Sequence, residues 1–138
     1  MIKERLFSHI GNEKDIENHL IDNIDDISIG CFWGPVEKFQ KQLRLDMKGF
    51  SPVCDLMIWH GDGTGTVVEV KKFKNELSQS HAIGQILMYG EAIKLKLSEY
   101  PRLVICSDYI SPIIKSIISA QKLPIKTLQL DGDKVTYS

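Results

Sequence analysis

Two apolar runs joined by a glycine-rich turn constrain this chain more than any other feature: PVCDLMIWH at 52–60 and TVVEVKKF at 66–73. Asp62-Gly63 lies between them, and Asp-Gly between apolar runs predicts a β-hairpin. The runs are too continuously apolar for strands with one wet face; they suit a sheet covered on both sides. Charges break the pattern. Asp55, Glu69 and Lys71 sit in or beside the runs, where an unpartnered carboxylate or ammonium taken from water costs about several kcal/mol.

The turn fixes how those charges meet. A loop centred on Asp62 sets Asp55 opposite Glu69. Alternation then puts Asp55, Glu69 and Lys71 on one face and Leu56, Ile58, Val68 and Val70 on the other, as core. Two directly opposed carboxylates repel, and a divalent cation between them removes the repulsion. Hard oxygen ligands on a rigid hairpin suit Mg²⁺, which keeps several waters and accepts phosphate oxygens. The backbone carbonyl of Val70, between Glu69 and Lys71, adds a possible third ligand. Lys71 points the same way as Glu69, where it could hold an attacking water or neutralise charge growing on a phosphate. Asp-X(n)-Glu-X-Lys is therefore a sensible core for metal-dependent phosphodiester hydrolysis.

The remainder supplies what a covered sheet needs. Residues 12–24, NEKDIENHLIDNI, predict a first helix capped by Asn12, with Ile16, Leu20, Ile21 and Ile24 apolar and Glu17 on the same stripe. Residues 36–47 alternate through Phe39, Leu43 and Leu45 and predict a strand. SHAIGQILMYGEAIKLKL has helical periodicity, RLVICSD reads as a strand, and Ser111-Pro112 opens another helix. IKTLQL and KVTY close the chain around a second Asp-Gly turn. The order is helix, antiparallel meander, helix, strand, helix and hairpin: an α/β fold with a mixed central sheet flanked by helices. The 138 residues suit one domain, 1–138, with a proper core.

Asp55 followed by Glu69-Val70-Lys71 resembles the PD-(D/E)XK nuclease superfamily. Gln85 and Tyr89, on the helix after the motif strand, resemble the QxxxY motif of its RecB-like branch, and Glu17 resembles its first-helix glutamate. E-x-D-I-E-x-x-L-I-x-N, D-L-M-I, V-V-E-V-K-K and Q-I-L-M-Y together are most similar to the C-terminal nuclease domain of NucS-type endonucleases, over about Glu13 to Asp108. Cys54 stands where the superfamily has a proline before the aspartate. The resemblance implies a restriction-endonuclease-like core, an α/β/α sandwich. It implies a DNA nuclease dependent on Mg²⁺, with Mn²⁺ as a substitute, acting in repair, defence or mobile-element DNA processing. Asp55, Glu69 and Val70 would bind metal, Lys71 and Gln85 would serve the nucleophile, and Glu17 would complete the site.

Seventeen Lys and Arg against eighteen Asp and Glu leave no bulk attraction for DNA, so a local patch or metal must provide it. So short a chain suggests a homodimer or a partner protein that delivers DNA. A Holliday-junction-resolvase-like enzyme is an alternative, though the near-neutral charge speaks against it. A nuclease fold kept as an inactive DNA-binding or assembly subunit is another. Lys72 and Lys74 extend the basic run toward phosphate, and His81 lies one turn before Gln85. GDGTG precedes a strand, not a helix, and is a turn rather than a phosphate loop. Trp33 and Trp59 read as packing residues. The three widely spaced cysteines exclude a disulfide framework or zinc cage and fit a reducing, cytoplasmic setting. MIKERLFSHIGNEKD has no apolar stretch fit for a signal peptide, and no membrane span is expected.

Overall fold

The computed structural model describes residues 12–138; the first eleven residues of the stretch read for a targeting signal lie outside the described residues. Helix α1 (Glu13–Asp22) starts at Asn12, whose side chain accepts the Asp15 N–H at 2.9 Å. Glu13 and Asp15 add negative charge to its positive end. The chain breaks at Asn23, whose amide donates to the His19 carbonyl at 2.9 Å, and resumes as a short α2 (Ile24–Gly30) that periodicity alone did not separate.

Three antiparallel strands follow: β1 (Val36–Arg44), β2 (Val53–His60) and β3 (Gly65–Val70). Helix α3 (Glu76–Leu97) crosses to β4 (Arg102–Ser107), parallel to β3. Helix α4 (Pro112–Ala120) leads to β5 (Ile125–Asp131), parallel to β4, and β6 (Lys134–Tyr137) folds back against β5. The six strands lie side by side in sequence order, a mixed sheet in an α/β fold. Among the described residues no helix is long and apolar enough to cross a membrane.

Both faces of the sheet are buried, which explains why β2 and β3 lack strict alternation. Met57, Val67, Leu103 and Ile105 pack against Ala82, Ile86, Tyr89 and Ile93 of α3. Leu56, Ile58, Val68 and Val104 pack against Ile16 and Leu20 of α1 and Ile24 and Ile27 of α2. Tyr89 and Ala92 are buried along with Ile83, Ile86 and Ile93 of α3. Cys31, Cys54 and Cys106 are free and buried, and Trp33 is buried with its indole N–H donating to the Tyr137 hydroxyl at 3.0 Å.

The β2–β3 turn sets the register. Gly63 takes φ +90°, a conformation that favours glycine, and the Asp62 carboxylate accepts the Thr64 N–H at 2.9 Å. Leu56 pairs with Val68, Met57 with Val67 and Ile58 with Thr66. One more step along the ladder brings Asp55 opposite Glu69.

Candidate active site

The carboxyls of Asp55 and Glu69 meet at one end of the sheet. Burial pushes both pKa values up; the Glu69 carboxyl reaches about 8, helped by the Asp55 charge and a hydrogen bond between the two. Glu69 is only 4% exposed. The Asp55 carboxyl is held back by the Val70 N–H, which donates to its Oδ2 at 2.8 Å. N–H and C=O of one strand residue point to the same edge, so the Val70 carbonyl faces that side as well. The ammonium of Lys71 lies close enough to lower the pKa of both carboxyls. Its own backbone N–H is taken by the Cys106 carbonyl at 2.9 Å, which fixes the chain just past the carboxylate.

Helix α3 closes the site from one side. The Tyr89 hydroxyl lies beside Glu69, and burial together with the Glu69 and Asp55 charges pushes its pKa up. Gln85 sits one turn earlier on the same flank. Its Oε1 and the Oε1 of Glu69 are both buried without a hydrogen-bond partner. An orphaned buried acceptor costs about 1–3 kcal/mol, which a ligand reaching the Glu69 oxygen would recover.

Helix α1 closes the other side. Burial raises the Glu17 pKa, as does Asp55, while Lys41 and Lys14 lower it. Glu13 was not singled out from the sequence, yet its charge raises the pKa of both Asp55 and Glu69, which that of Glu17 is not seen to do. The Oε2 of Glu13 accepts the Lys72 backbone N–H at 3.4 Å. The signal was available: Glu13 and Glu17 are four residues apart and share a helix face.

The edge strand contributes a strained residue. Lys41 pairs with Leu56 and Leu43 with Cys54, which leaves Gln42 across from Asp55, with φ +53°. Gln42, Lys41, Glu17, Glu13 and Asp55 line an open cavity of about 340 Å³. A larger cavity of about 580 Å³ lies between α1–α2 and the β6 hairpin, among His19, Asp26, Cys31 and Tyr137. It shares no lining residue with the smaller cavity, which is the one that Asp55, Glu13, Glu17 and Lys41 share.

Other residues fall outside the site. Lys72 is ion-paired with Asp108 through Nζ, so its ammonium is not free for phosphate. Although burial pushes the Asp108 carboxyl up, that pair and the Phe73 N–H at 2.9 Å hold it below the usual range. Lys74 is exposed. His81 is exposed on α3, whereas Ala82 and Ile83 beside it are buried. Trp59 lies under the Lys38 ammonium, 4.8 Å from the ring centre.

Among the described residues no three His, Cys, Asp or Glu side chains form a ready-made metal cluster. A cation here would rest on Asp55, Glu69, the Val70 carbonyl and water, a donor set of hard oxygens that fits Mg²⁺. The orphaned Glu69 and Gln85 oxygens fit it too: one could meet the ion, the other the O–H of an ion-bound water.

No family model and no curated protein matches the sequence. Two solved structures do. A repair endonuclease from Pyrococcus abyssi superposes with a TM-score of 0.57 at 22% identity, over 84% of this chain and 45% of that one. The EndoMS–dsDNA2 complex superposes with a TM-score of 0.52 at 19% identity, over 86% of this chain and 45% of that one. The chain thus spans less than half the length of either neighbour. At these identities the likeness is one of fold: a mixed sheet and flanking helices arranged as in these endonucleases.

Proposed function

We propose that this chain is a metal-dependent deoxyribonuclease that hydrolyses phosphodiester bonds, with Mg²⁺ as the cation and Mn²⁺ able to replace it. The paired Asp55 and Glu69 carboxyls, with one Glu69 oxygen buried and without a partner, carry the reading. That the two neighbours in fold are endonucleases, one in a complex with dsDNA, supports an internal cut in duplex DNA.

Asp55, Glu69 and the Val70 carbonyl would hold the cation, which supplies Lewis acidity toward a phosphate oxygen and acidifies water. The chain does the rest by placement. The Val70 N–H tethers one oxygen of Asp55 and leaves the other presented to the cavity. Lys71 sets positive charge beside both carboxyls, where negative charge on a phosphate would grow. The Gln85 carbonyl would accept a hydrogen bond from the attacking water and so align it. Glu17 and Glu13 accept from waters further out, and Lys41 offsets their charge at the cavity mouth.

Incubation with plasmid, linear duplex, branched and single-stranded DNA in Mg²⁺ tests this. Cleavage that stops in chelator and falls by about 100-fold or more in Lys71→Ala and Asp55→Ala is expected, the loss typical of removing a charge-stabilising group. Absence of cutting on all four DNAs, with no heat of Mg²⁺ binding by calorimetry, would leave a nuclease fold used for binding or assembly.

A further inference from the structure

Strand β3 ends at Val70, and the chain from Lys71 to Asn75 belongs to no helix or strand. Its first amides are nonetheless all taken. The Lys71 N–H donates to the Cys106 carbonyl at 2.9 Å, the Lys72 backbone N–H to Glu13 Oε2 at 3.4 Å and the Phe73 N–H to Asp108 Oδ1 at 2.9 Å. Glu13 lines the cavity beside Asp55; Asp108, the first residue past β4, does not.

Asp108 is itself held. Its Oδ2 pairs with Lys72 Nζ, and Ser107 Oγ donates to its Oδ1 at 3.2 Å. The loop around it is tied to two elements. Gln79 of α3 donates to the Tyr109 carbonyl at 2.7 Å, and the Ile110 N–H donates to Gln129 of β5 at 2.9 Å. The Phe73 ring meets the Tyr109 ring edge-on, with centres 4.9 Å apart. The segment after Lys71 is therefore fastened to a loop that is fixed to α3 and β5. The Lys72–Asp108 pair alone adds little, because its side chains are 29% and 15% exposed and such pairs contribute about 0–1 kcal/mol. The bond to the Phe73 N–H differs in kind, since it holds the main chain.

Lys71 is the residue this serves. Its ammonium acts on both Asp55 and Glu69 from the end of a flexible four-carbon stem, so its place depends on a backbone fixed before and after it. A misplacement of about 1 Å can cost about 100-fold in rate. We propose that Asp108 is a positioning residue for Lys71: by accepting the Phe73 N–H it fixes the main chain beyond Lys71 and keeps the ammonium beside the carboxyl pair. The catalytic consequence rests on the nuclease reading above, whereas the placement itself does not.

Two measurements on the whole chain test this. Amide relaxation by NMR is independent of cleavage: the order parameters of Lys72 and Phe73 are expected near about 0.85 in the wild type and below about 0.6 in Asp108→Ala. In cleavage, Asp108→Ala is expected to lower kcat at least about tenfold, with KM and the Mg²⁺ requirement within about twofold of the wild type. Lys72→Met, which removes the ion pair and keeps the Phe73 bond, is expected to retain the wild-type kcat. Asp108→Asn in that background still offers an oxygen to the Phe73 N–H, with no ammonium competing for it, and is expected to restore kcat to within about threefold. Should alanine prevent folding, Asp108→Glu, which keeps the charge and shifts the acceptor by one methylene, is expected to show the same loss of kcat. Unchanged order parameters or an unchanged kcat in Asp108→Ala would overturn the proposal, as would an equal loss in Lys72→Met, which would assign the effect to the ion pair. A wild type that cuts no DNA fails the nuclease reading instead, and the order parameters then decide alone whether Asp108 fixes the chain at Lys71.

Discussion

Gln42 holds a left-handed backbone at φ +53° beside Asp55, a conformation that costs a residue with a Cβ about 1 kcal/mol or more. Strain of this kind persists where the surroundings impose it, and active sites are where it gathers. Gln42→Gly is expected to raise stability by about 1 kcal/mol in urea unfolding while lowering the cleavage rate, two changes of opposite sign. His60 makes a different prediction. Burial lowers its pKa below 6.5, and its Nε2 and Thr66 Oγ1 stand 2.8 Å apart. Above 6.5 it is neutral in both states and adds no pH dependence. Below 6.5 the unfolded chain takes up a proton that the folded chain refuses, so stability falls as pH drops. The urea midpoint of the wild type relative to His60→Gln is therefore expected to decline from pH 7 to pH 5.5. Neither residue stands out in the sequence: Gln42 sits in an ordinary alternating run, and the neighbours of His60 come from α2 and β3.

Helix α3 shows what periodicity reveals and what it leaves out. Apolar spacing located the helix, but its first turn, from Glu76, lies ahead of the apolar pattern and begins at Asn75, whose side chain accepts the Ser78 N–H at 2.8 Å. Gln79 in that turn is fully buried. Its amide donates to the Tyr109 carbonyl at 2.7 Å and its Oε1 accepts the Ser111 N–H at 2.9 Å, tying the start of α3 to the cap of α4. A polar residue reads as surface until its partners are known, and these partners are about thirty residues away. Gln79→Leu is expected to cost about 2 kcal/mol by thermal unfolding, because it strands a buried N–H. The β2–β3 hairpin is the opposite case. Its register followed from the turn residues alone, since a two-sided core forbids a slip of one position. The split of the N-terminal helical segment at Asn23 was not readable, because the apolar stripe continues across the break through Ile24 and Ile27.

Across the whole molecule, fold and site draw on different kinds of information. Element order and the two-sided core follow from apolar pattern, whereas the approach of Glu13 to the carboxylate pair and of Lys41 to Glu17 depends on how α1 and β1 close the end of the sheet. An ion that binds only the folded chain stabilises it in proportion to the logarithm of its concentration. The unfolding temperature is thus expected to rise with Mg²⁺, and the rise to vanish in Asp55→Asn and Glu69→Gln. In chelator these two variants are expected to melt no lower than the wild type, since an amide has no charge to bury at a place where burial already pushes both carboxyls toward their neutral form. Asp55→Ala differs because of the bond from the Val70 N–H to the Asp55 side chain. That bond makes one carboxylate both the clasp at the open end of the hairpin and the would-be grip on the ion. Truncation therefore mixes fraying with lost chemistry, and the two separate cleanly in deuterium exchange: the Val70 amide should be shielded in Asp55→Asn and should exchange rapidly in Asp55→Ala.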